Sequence, residues 1–127
     1  MIRVRERGAA VVDFVLVLVV LLPLVMGILQ VALVMQVRNT LAAAASEGAR
    51  VAATADRGPG DGVAATREQI GDAIAGRYAD DVRARPVSID GAPGVEITVR
   101  ARVPALGLGG PSIEVEVAGR AVEEPDR

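Results

Sequence analysis

The sequence predicts an α+β protein: a long N-terminal transmembrane and stalk helix, then a small head of one helix packed on a three-stranded antiparallel sheet. Three observations predict it. An uncharged apolar run fills residues 14–35, helical periodicity governs residues 66–78, and strict alternation governs the stretch beyond Pro86.

With 127 residues, only one small folded unit is expected outside the apolar run. Hydrophobic residues make up 51% of the chain, yet Phe14 and Tyr78 are its only aromatics. Its core must therefore be built from Val, Ile, Leu and Ala. The formal charge is −2, every basic residue is Arg, and no basic patch is interleaved with aromatics. Nucleic acid is not an expected partner. The absence of Cys and His removes disulfides, the usual zinc sites, and the Ser-His and Cys-His nucleophile pairs. Ser46, Ser88 and Ser112 have no Lys or His to activate them. Accordingly no enzyme activity, small-molecule substrate, cofactor or metal is expected.

The first element begins with a basic stub, Arg3, Arg5 and Arg7 against Glu6. The run from Phe14 to Met35 contains Pro23, Gly27 and Gln30 and no charge. At about 1.5 Å rise per residue it matches a hydrocarbon core of roughly 30 Å. It is longer than the apolar region of an ordinary secretory signal peptide. Arginines ahead of the span predict a cytoplasmic N-terminus and an extracytoplasmic C-terminal part. That makes a single-pass protein of the cytoplasmic membrane. Pro23 removes a backbone donor and, with Gly27, predicts a kink in the helix. Asp13 stands at the entry to the run. A carboxylate there is either a residue at the headgroups or a functional charge, and composition alone leaves both open.

Residues 36–55 are rich in helix formers and predict an outward continuation of the same helix. Asp56 to Gly62 reads as a linker, and its acids lack the spacing of a calcium loop. Thr66 and Gln69 fit a capping box, so the second helix is expected from about 63 or 66 to about 81. Ile70, Ile74 and Tyr78 should face the core and cover the sheet. Asp80 and Asp81 read as a solvated helix end. Val87 and Ile89 start the alternation, and Gly91 to Gly94 reads as a turn. Val95, Ile97, Val99, Ala101 and Val103 form one apolar face. After a turn at 104–111, Ile113, Val115 and Val117 form another. Pairing Val103 with Ile113 sets Arg102 opposite Glu114 and Arg100 opposite Glu116 on the outer face. Residues 106–110 read as a hairpin loop, and residues 123–127 as a frayed tail.

The stretch Arg7-Gly8-Ala9-Ala10-Val11-Val12-Asp13-Phe14 resembles the processing site of type IV pilins and pseudopilins. The resemblance implies a short basic leader ending in Gly8, cut by prepilin peptidase to leave Ala9 as the new N-terminus. Asp13 becomes the fifth mature residue, an assembly carboxylate that pairs with the terminal ammonium of a neighbouring subunit. Leu22-Pro23-Leu24, Met26-Gly27, Arg38-Asn39 and Glu47-Gly48-Ala49-Arg50 narrow the resemblance to the TadE-like family. These are minor pilins or pseudopilins of tight-adherence (Flp) pilus systems. It covers roughly residues 7 to 53, and it departs from the family where Asp13 replaces the usual Glu.

The expected organisation is therefore a leader at 1–8, a transmembrane and stalk helix at 9–55, a linker at 56–62 and a head at 63–127. The expected partners are the membrane, prepilin peptidase and other pilin-like subunits, met through the N-terminal helix. A signal-anchored extracytoplasmic binding module unrelated to pili is the rival reading. It predicts an uncut Met1 end and no role for Asp13.

Overall fold

The structure, a computed structural model, describes residues 2–105 and 111–125. Helix α1 spans Ile2–Ala52, and α2 spans Pro59–Ala73. A 3-10 turn at Gly76–Ala79 leads into β1 (Asp81–Ile89), β2 (Ala92–Val103) and β3 (Ile113–Val122). The strands form one antiparallel meander in the order β1-β2-β3. This is the expected α+β layout. The expected hairpin loop at 106–110 and the last two residues of the tail lie outside the described residues.

Helix α1 continues without a break through Pro23 to the end of the alanine-rich stretch. Its two halves have different surroundings. Up to Val31 the large apolar side chains are mostly exposed. From Val37 onward a stripe of Val37, Leu41, Ala44, Ala45, Ala49 and Ala52 is buried. These positions recur three or four apart, so they share one face of the helix. That face is covered by β2, β3 and α2. The expected outward continuation of the helix is therefore also the central element of the head. Sheet cover comes from α1 over β2 and β3 together with α2 over β1, and not from the second helix alone.

Small residues make this packing possible. A Cβ on Gly62 would lie 2.6 Å from the Gly48 carbonyl oxygen and 2.6 Å from Ala52 Cβ. One on Gly119 would lie 2.4 Å from both the Ala45 carbonyl carbon and the Ser46 nitrogen. Thus α2 and β3 both meet α1 at backbone contact, at neighbouring positions on its buried face. Thr66 is buried at this crossing. Its hydroxyl donates to the Gly62 carbonyl at 2.8 Å.

The start of α2 corrects the expected linker and capping box. Gly58 is the N-cap, Pro59 occupies the first turn, and the Asp61 carboxylate accepts the Gly58 N–H at 2.9 Å. Proline at the first turn forfeits no helical hydrogen bond, and an acid there suits the helix dipole. Residues 59–62 therefore begin the helix, and Thr66 sits inside it. The helix also ends earlier than expected, at Ala73. Ile74 turns extended and its N–H bonds the Ile70 carbonyl at 2.9 Å. Ile70 and Tyr78 are buried and Ile74 packs partly against the core, as expected, but the chain bends between them.

The sheet begins at Asp81, before Pro86. In the observed register Val82 faces Val99 and Ala84 faces Ile97, so these two line the inner face. Val87 and Ile89 share the parity of Arg83 and Arg85 and belong to the outer face. The first turn is Asp90-Gly91, one residue ahead of the expected position. Both residues have positive φ, 51° and 84°. That is the two-residue turn whose twist suits a hairpin, and Ala92 to Gly94 are already in β2. The second pairing has Val103 opposite Ile113, Arg102 opposite Glu114 and Arg100 opposite Glu116, as the outer-face charges predict.

Candidate functional site

The residues singled out by sequence lie on the exposed half of α1. Gly8, Ala9 and Asp13 are exposed and helical. Ala9 and Asp13 are four apart and therefore lie one turn apart on the same face. Between Val11 and Val31, fifteen large apolar side chains are 42–71% exposed. Burying one such side chain is worth about 1.5–3 kcal/mol. About half of each side chain is exposed, and even half of that figure summed over fifteen is comparable with the roughly 5–15 kcal/mol stability of a folded domain. This surface therefore demands an apolar surrounding, either lipid or neighbouring helices.

Pro23 and Gly27 are also four apart. With Leu24, Ile28 and Val31 they line a shallow apolar depression. A Cβ on Gly27 would meet nothing within 4 Å, so no contact inside this chain requires the glycine. The depression is a place where another apolar surface can approach the backbone.

A second polar arrangement lies on the outer face of the sheet. Glu96 faces Arg85 on β1 and Arg120 on β3. Arg85 donates to Oε1 from Nε at 2.6 Å and approaches it from Nη2 at 2.5 Å, while the Arg120 Nε donates to Oε2. The two guanidiniums cover the carboxylate, leaving the Glu96 side chain 3% exposed. Hydrogen bonds from Arg120 first and Arg85 second hold its carboxyl below the usual carboxylate range, outweighing the effect of burial. Arg100 and Glu116 add a pair at 2.6 Å, and Arg83 meets Asp81 at 3.0 Å. The Arg-Glu-Arg group was legible only once both strand registers were fixed, because its members are 11 and 24 residues apart. Its geometry clamps three strands together.

The family model for TadE-like proteins matches residues 8–50. This part of the chain is TadE-like. The TadE-like segment begins at Gly8, contains Asp13, Pro23 and Gly27, and stops two residues short of the end of α1. It suggests involvement in tight-adherence pilus systems. Helix α1 is long and apolar enough to cross a membrane once, which suggests single-pass anchoring. Membrane association and pilin-like partners agree with both observations. No match was found among curated proteins or among solved structures. The TadE-like segment thus contains the candidate membrane span and one wall of the head, while α2 and the sheet lie outside the matched residues.

Proposed function

We propose that the chain is a minor pilin or pseudopilin, a structural component of tight-adherence pilus assembly rather than an enzyme. In this reading prepilin peptidase cuts after Gly8 on the cytoplasmic side, and the head lies outside the membrane. The observation that carries it is the TadE-like match starting at Gly8, five residues ahead of an exposed carboxylate at the entry to the uncharged apolar run. Cleavage turns Ala9 into a terminal ammonium. It also moves Asp13 from the helix interior to near the helix N-terminus, where the macrodipole favours an anion. A carboxylate entering lipid beside apolar neighbours is stabilised by an ammonium from an adjacent subunit. Removing one partner of such a pair is costly, so the pair sets the register between packed helices.

The test is the mass of the N-terminal peptide from membranes of the native host, with and without active prepilin peptidase. A peptide starting at Ala9 that is lost without the peptidase is expected. An intact Met1 end in both preparations favours the plain signal anchor. In the same host, Asp13→Asn is expected to insert normally and to be depleted from sheared pili. Undiminished incorporation of that variant counts against the pairing.

A further inference from the structure

The level at which the head meets the membrane follows from where the exposed apolar half of α1 stops. Val11 and Val31 bound its dense run of exposed apolar side chains, and Met35 is exposed one turn further on, on the side of α1 turned away from the head core. Val11 and Val31 are separated by about 30 Å of helix rise, the thickness of a hydrocarbon core. One residue before the end of that run, Gln30 Nε2 donates to the Pro104 carbonyl at 3.3 Å. Leu33 and Val34 already pack against the head core, and Val37 is buried. No free stretch of helix separates the apolar half from the head.

Strand geometry places the same level independently. Gly119 touches α1 at Ala45. From Ala45 to Gln30 the helix descends about 22 Å. From Gly119 to Ser112 the chain of β3 and its approach descends about 24 Å. Both elements therefore reach the same level at the rim. Val103 and Ile113 form the last pair there. Pro104, Pro111, Ser112 and Ile113 are exposed. One pair higher stand Arg102 and Glu114, with Arg77 and Asp80 beside them. Apolar side chains below a row of mixed charges match the order of a lipid interface, where acyl chains give way to phosphates and amines.

We propose that the head rests directly on the bilayer, with the rim of Gln30, Pro104, Ser112 and Ile113 in the lipid headgroup layer. The partner of this rim is the lipid surface. The proposal depends on α1 spanning a membrane and not on cleavage or pilus assembly, so those readings can fail without it.

The chain has no cysteine, so single labels are unique. Ser112→Cys reports the rim. Ser88→Cys, opposite Pro93 near the other end of the sheet, reports the far side of the head, and Leu24→Cys reports the span. Ser88 and Ser112 are exposed, so these two changes leave the core intact. Each full-length variant would be spin-labelled and placed in nanodiscs of phosphatidylethanolamine and phosphatidylglycerol. The readout is the ratio of collisions with oxygen, which concentrates in lipid, to collisions with a water-soluble nickel chelate. A ratio at Ser112 between those at Leu24 and Ser88 is expected. A lipid-like value at Leu24 with equal, water-like values at Ser112 and Ser88 overturns the rim alone. Water-like values at all three sites overturn the span and the rim together.

Discussion

Glu96 illustrates how one residue on the solvent side of a sheet can become a structural centre. Its carboxylate is almost completely covered, yet the arginines that cover it are themselves 66% and 63% exposed. Surface ion pairs contribute little, whereas hydrogen bonds to a buried carboxylate contribute more because nothing else can solvate it. Glu96→Gln is therefore expected to cost about 1–3 kcal/mol near neutral pH, read as a lower denaturant midpoint in detergent micelles. The pH dependence has a definite sign. The folded-state pKa of Glu96 is depressed, so its stabilisation is fully present above its unfolded pKa and is lost as pH falls through the folded value. The gap between wild type and Glu96→Gln should narrow on acidification below the ordinary glutamate range. A gap that stays constant across that range would show that the arginines do not favour the ionised form.

At the scale of elements, packing depends on where side chains are missing. Helix propensity alone favours Ala over Gly by at most about 1 kcal/mol. At Gly62 that gain is opposed by backbone contact with Gly48 and by Ala52, neither of which can rotate away. Overpacking of this kind costs about 1–3 kcal/mol, so Gly62→Ala should be destabilising. Gly71 lies in the same helix, and a Cβ there meets nothing within 4 Å. Gly71→Ala should be neutral or stabilising. Thermal unfolding of both variants checks the pair, and equal shifts would refute the close crossing. The same elements show what was legible in the sequence. The register of β2 on β3 was legible because opposite charges and apolar residues both select Val103 with Ile113. The start of α2 was misplaced because Thr66 and Gln69 imitate a cap, while the operative signals were Pro59 and Asp61 inside a glycine-rich stretch. Asp90-Gly91 was a stronger hairpin signal than the Gly-Ala-Pro-Gly stretch that obscured it. On the candidate site, the order of Gly8, Ala9 and Asp13 was readable directly. The Glu96 group was not, because it exists only after three strands align.

For the whole molecule, the decisive fact is that one helix serves two environments. Residues up to Val31 need an apolar surrounding, while Val37, Leu41, Ala44, Ala45, Ala49 and Ala52 form a wall of the head core. A boundary at residue 63 separates sequence segments but cuts through the packed core. Without α1, the inner face of Val95, Ile97, Val99, Val115 and Val117 loses the helix that α1 lays over β2 and β3. Five such side chains at about 1.5–3 kcal/mol each represent as much free energy as the whole stability of a small domain. A fragment of residues 63–127 is therefore expected to be unfolded in water, with poor amide dispersion and no cooperative thermal transition. A fragment of residues 33–127 keeps the buried stripe of α1, omits most of the exposed apolar half, and should fold. If the shorter fragment folds cooperatively, the alanine-rich face is dispensable to the head. If only the longer one folds, the apolar half of α1 and the head cannot be separated, because both are carried on the same continuous helix.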